Sequence, residues 1–139
     1  MSQTLLGFDY GTKRIGVAVG QDITRTVTPL TTLHCVNENP DWLAIGKLIQ
    51  EWNPDKLVVG LPLHLDGTSQ TLTDKAQRFG NQLKGRYNLP VEMMDERLTS
   101  HEAETRLVTR KGKPVKADID ALAAALILQS WLDQHSNET

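Results

Sequence analysis

Cys35 is the only cysteine in 139 residues, so no disulfide can form within the chain. The disulfide-stapled frameworks of small secreted domains are therefore excluded, and a reducing compartment fits. Aromatic residues make up only 5% of the chain, too few for a platform on which successive bases would stack. No sign of charge dominates: the formal net charge is −2, so any contact with nucleic acid must be a local patch. Long hydrophobic runs are missing too. The longest, residues 121–128, is far short of a bilayer span. The first residues lack the basic-then-apolar layout of a signal peptide. The four histidines, His34, His64, His101 and His135, are scattered and form no zinc-binding spacing. Repeats, low-complexity tracts and linkers are absent as well. The expectation is one cytoplasmic domain over residues 1–139, with no attachment to a membrane.

The patterning is that of an α/β chain. Strands are expected over Leu5–Asp9, Ile15–Val19 and Thr26–Val36, joined by tight connections that make them an antiparallel meander. Asn39, Pro40 and Asp41 open a helix over 40–52, with Pro40 at its first position and Trp42, Ile45, Leu48, Ile49 and Trp52 on one face. Lys56–Leu61 (KLVVGL) reads as a strand covered on both faces. A polar helix over Thr71–Tyr87 and a strand over Val91–Glu96 follow. Thr99 and Glu102 form a capping box for a helix to about Arg110, and Asp118 to about Gln134 makes the last helix. Helical crossovers make the later strands parallel. The sum is a five-stranded mixed sheet with helices on both faces, an order that resembles ribonuclease-H-like domains.

Carboxylates sit in three unusual places. Asp9 ends a buried strand, on the face of Leu5 and Gly7. An Asx turn toward Gly11 is the simpler use for it. Asp95 and Glu96 close the strand VEMMDE; alternation sends them to opposite faces, so one can enter a site while the other pairs with Arg97. Asp120 heads a helical face with Ala124, Ile127 and Trp131 in a helix apolar almost all round. Asp118 suits an N-cap, and the helix dipole alone would also favour Asp120. Converging carboxylates repel unless a hard cation joins them, which points to Mg²⁺ or Mn²⁺ and to phosphodiester chemistry. Counter-charges are at hand: Arg106, Arg110, Lys111, Lys113 and Lys116 run up to the last helix, and Lys13 and Arg14 occupy the first turn. Arg97 is counted with these candidate nucleic-acid contacts.

Four blocks, FDYGTKRIGVAVG, VVGLPLHLDGT, DERLTS and IDALAAALILQSWL, resemble the signature segments of the YqgF/RuvX family, from about Leu5 to Leu132. The resemblance implies a ribonuclease-H-like fold related to the resolvase RuvC. It implies either maturation of the 5′ end of pre-16S ribosomal RNA or resolution of four-way DNA junctions. It carries the catalytic, metal-binding acids to Asp9, Glu96 and Asp120, with Asp95 and Asp118 as alternative ligands of a two-metal Mg²⁺ or Mn²⁺ site. Partners implied are pre-rRNA or branched DNA and ribosomal precursor particles, bound by a monomer or weak homodimer. Gly60, Pro62 and Gly67 are expected to shape a groove. DYGTKRIGVAV also resembles the phosphate hairpin of actin-like ATPases, but those close two such halves around a nucleotide and this chain holds one. A non-catalytic RNA-binding assembly factor is the reading of another class.

Overall fold

The computed structural model describes residues 3–99 and 119–135. Its elements, in chain order, are strands β1 (Thr4–Asp9), β2 (Arg14–Gln21) and β3 (Thr26–His34), helix α1 (Trp42–Trp52), strand β4 (Lys56–Leu61), helix α2 (Thr71–Tyr87), strand β5 (Val91–Asp95), a 3-10 turn (Glu96–Leu98) and helix α3 (Ile119–His135). The strands form one sheet in the order β3-β2-β1-β4-β5. β1, β2 and β3 pair antiparallel, while β4 is parallel to both β1 and β5. The meander and the crossovers expected from the sequence are both present.

Side-chain alternation divides the core in two. Leu6, Phe8 and Tyr10 of the first strand region join Ile15, Val17, Leu57, Val59 and Phe79 in a cluster beneath α1 and α2. On the opposite face Leu5, Ala18, Val27 and Val58 pack against Ala124, Ile127, Leu128 and Trp131 of α3. Because α3 is buried on most of its surface, its sequence has no polar side after the first turn. No helix among the described residues is long and apolar enough to cross a membrane.

Three boundaries differ from expectation. Pro40 precedes α1 instead of opening it; Asp41 is the N-cap, its carboxylate accepting a hydrogen bond from the Ala44 amide at 3.1 Å. β3 ends at His34, and Val36 enters a small bridge with Asn39. β5 ends at Asp95, so Glu96 begins the 3-10 turn and escapes the alternation of the strand. Beyond Thr99, the helix expected to run to about Arg110 lies outside the described residues, as do the Asp118 cap and the basic run Arg106, Arg110, Lys111, Lys113 and Lys116.

Candidate active site

The parallel strands β1, β4 and β5 all end at the same edge of the sheet, and the acids collect there. Asp9 is the last residue of β1, and its cross-strand partner on β2 is Gly16. The start of α3 rests on that glycine: a methyl group at Gly16 would overlap the backbone carbonyl of Asp120. Gly16 therefore seats the head of α3 directly across from Asp9.

A second glycine opens the other side. The β1–β4 register runs to Phe8 against Val59, so Gly60 follows beside Asp9. A Cβ on Gly60 would stand 2.9 Å from Glu96 Oε1 and 2.5 Å from Ile127 Cδ1. The bare backbone of β4 leaves a window through which Glu96, arriving from β5, reaches Asp9. Their side chains are hydrogen bonded, with Glu96 as donor. Burial raises the Glu96 carboxyl first, and the hydrogen bond and charge of Asp9, with Asp95 beyond, bring it to about 8. Burial also raises Asp9; the bond from Glu96 lowers it in part, and the charge of Asp120 raises it again.

Asp120 faces this pair but is held by another group. Arg14 Nε stands 2.8 Å from Asp120 Oδ2, joining the first turn to the last helix. Asp95 is also occupied. It accepts from the Arg97 amide at 2.9 Å and from the guanidinium, with Nη2 2.6 Å from Oδ2. That same guanidinium donates through Nη1 to the Leu65 carbonyl at 3.2 Å, bracing the loop between β4 and α2. Arg97, grouped by sequence with the nucleic-acid contacts, is thus committed to Asp95 and Leu65. Lys13 and Arg14 are exposed, Arg14 with its ion pair to Asp120.

Among the described residues no three His, Cys, Asp or Glu side chains form a ready-made metal cluster. The donor chemistry nevertheless fits a hard divalent ion. Asp9 and Glu96 offer only carboxylate oxygens, their mutual hydrogen bond holds the two together, and Asp9 feels the charge of Asp120. Sequence reasoning assigned no task to Gly16 and only a groove to Gly60. The signal was there, since both interrupt apolar β-branched runs where a side chain would otherwise strengthen the strand.

Comparison with known proteins identifies the relatives of this chain. Residues 3–134 match the RuvX family, described as Holliday junction resolvase. A protein of Glaesserella parasuis serovar 5 described as "Putative pre-16S rRNA nuclease" is 52% identical over 138 residues, covering 98% of this chain and 100% of that one. A Cronobacter sakazakii protein with the same description is 50% identical over 137 residues, covering 97% and 99%. The backbone is similar to Thermus thermophilus RuvC, with a TM-score of 0.58 at 12% identity over 96% and 97% of the two chains. It is also similar to Fowlpox virus resolvase in complex with Holliday junction DNA, with a TM-score of 0.54 at 11% identity over 94% and 97%. At those identities the likeness is one of fold, and it is the ribonuclease-H-like, RuvC-type fold that the order of elements suggested. Matched along nearly its whole length, this chain belongs to the RuvX family, a family of nucleases.

Proposed function

We propose that this chain is a divalent-metal-dependent endonuclease that processes the 5′ end of pre-16S ribosomal RNA. The observation that carries the reading is the meeting of Asp9 and Glu96 at the edge of the sheet, in the space Gly60 leaves, with Gly16 seating the head of α3 and Asp120 across from them. Buried carboxylates in contact cannot both ionise without a cation. Asp9, Glu96 and Asp120 would hold Mg²⁺ or Mn²⁺, as one ion or two. Bound there, the metal supplies a water of lowered pKa and neutralises charge on the phosphoryl oxygens.

The remaining work belongs to the chain itself. Asp9 is held rigidly because β1 is hydrogen bonded on both sides, to β2 and β4. Glu96 gives up its proton when the site is loaded, becoming the second anionic donor. Arg14 presents Asp120 from the side and, with Lys13, offers positive charge to a phosphodiester. Arg106, Arg110, Lys111, Lys113 and Lys116 precede α3 in sequence and extend that contact on this reading. The relatives' description, at about half identity over the whole chain, supports ribosomal RNA over DNA. The protein then works in the cytoplasm on ribosomal precursor particles, as a monomer or weak homodimer.

One observation favours a second reading. Each acid is satisfied without metal, Glu96 by its proton and Asp120 by Arg14, as in a non-catalytic RNA-binding assembly factor. A single experiment separates the two. Purified protein is incubated with Mg²⁺ or Mn²⁺ and either an RNA carrying the pre-16S 5′ leader or a four-way DNA junction, with Asp9→Asn as control. Cleavage of the RNA alone, lost in the variant, is the expected result. Cleavage of the junction alone would make the chain a resolvase. Binding of the leader with no cleavage of either substrate would make it an assembly factor.

A further inference from the structure

Tyr10 directly follows Asp9 but faces the opposite side of the sheet, where its ring packs 5.1 Å from that of Phe79. Its phenol feels the charges of Lys75, Arg78 and Glu38. These side chains, with Asn37 and Gln82, line a 270 Å³ groove between α2 and the segment following β3. Lys75 and Arg78 project from the first turns of α2, the end of that helix nearest the edge where β4 stops. Among the described residues Arg78 is exposed and has no ion-pair partner.

The opposite wall is tied to the site. The Cys35 amide donates to the Lys13 carbonyl at 2.9 Å, so the segment after β3 moves with the turn that carries Lys13 and Arg14. Val36 and Asn39 then exchange two backbone hydrogen bonds, at 3.1 and 2.9 Å, around a two-residue turn. Both turn residues have positive φ, 52° at Asn37 and 62° at Glu38. Asn tolerates that conformation, whereas Glu adopts it at a cost. The turn brings the Glu38 carboxylate to 2.6 Å from Lys75 Nζ. An anion of the chain's own thus stands where a cationic groove with amide and phenol donors would take one from outside.

We infer that this groove is a subsite for a backbone phosphate of the nucleic-acid strand, flanking the scissile linkage, with Glu38 occupying the anion position until the strand displaces it. The inference rests on the nuclease reading for the identity of the strand, but its chemistry is that of any phosphodiester. A strand crossing the edge of the sheet at Asp9 would meet Lys13 and Arg14 beside the acids and Arg78 and Lys75 beyond Tyr10. The groove therefore fixes where along the strand Asp9 sits.

The test measures binding of the pre-16S 5′ leader RNA by fluorescence anisotropy across a salt series, in the Asp9→Asn background so that the strand stays whole. Arg78→Ala and Lys75→Ala are each expected to weaken binding about tenfold at low salt. Each should also lower the salt slope by about 0.7. Glu38→Gln is expected to act in the opposite direction and tighten binding. Lys84→Ala, which removes one exposed charge from the same helix outside the groove, is the control, with an effect under about twofold. Arg78→Ala indistinguishable from Lys84→Ala, with Glu38→Gln unchanged, would overturn the subsite. Cleavage by the wild type is scored separately. If the wild type cuts and the groove variants bind normally, the subsite alone fails. If nothing is cut and the groove variants still lose binding, the subsite stands and the nuclease reading falls.

Discussion

Glu96 reaches Asp9 through the gap that Gly60 leaves in β4, and its carboxyl donates a hydrogen bond to the Asp9 carboxylate there. The ordinary value for Glu96 is 4.5 and its folded value is about 8, so the folded state binds this proton more tightly than the unfolded chain. Its contribution to stability is complete below pH 4.5 and is lost as the pH climbs through 8. Metal-free protein should therefore melt at progressively lower temperature across that window. Glu96→Gln should flatten the profile, and Mg²⁺ or Mn²⁺ should restore the wild type at its alkaline end. Thermal melts at a series of pH values check this; a wild-type profile no steeper than that of Glu96→Gln would refute that hydrogen bond.

The seat of α3 on Gly16 yields a packing prediction. Gly16→Ala sets a methyl against the Asp120 backbone, which cannot rotate away, and should destabilise the fold by about 1–3 kcal/mol. Gly20→Ala is the comparison, because its nearest neighbour is the Leu128 side chain, 2.9 Å away and able to turn. Urea denaturation should show Gly16→Ala as the more damaging change, and its cleavage rate should fall further than its stability explains.

On the proposed reading Arg14, paired with Asp120, would compete with a cation for it. The pair is solvent exposed, so Arg14→Ala should change stability by less than about 1 kcal/mol. It should tighten Mn²⁺ binding measured by calorimetry while weakening binding of RNA. Looser binding of Mn²⁺ would show that Arg14 assists the metal instead of opposing it.

Arg97 and Asp95 should behave as one unit. Lysine cannot reproduce the two-sided fork on Asp95 and the reach to the Leu65 carbonyl. Arg97→Lys and Asp95→Asn are each expected to slow cleavage, and the double variant should be little slower than either alone. Additive losses would mean that the two side chains serve separate purposes.

Part of this site was legible from spacing. Parity along β1 put Asp9 on the face of Leu5 and Gly7, and that face is the one α3 covers. Helical spacing put Asp120 above Ala124 and Ile127, both buried against the sheet. The choice between Asp95 and Glu96 was not legible, because alternation holds only inside a strand and β5 stops at Asp95. The Arg14–Asp120 pair joins residues 106 positions apart, and no local pattern encodes such a contact. The windows at Gly16 and Gly60 were written as missing side chains, whose meaning depends on what a distant element brings to them.

The same long reach has a consequence during synthesis. Asp9, Gly16 and Gly60 leave the ribosome long before Asp120, and until α3 arrives the Leu5, Ala18 and Val27 face of the sheet lacks the helix that packs on it. A nascent chain that has made its sheet holds the first acid of the centre without the last. The candidate centre is therefore completed in a single late event, the docking of the final helix, and a chain stopped short of that helix holds Asp9 and Glu96 without Asp120.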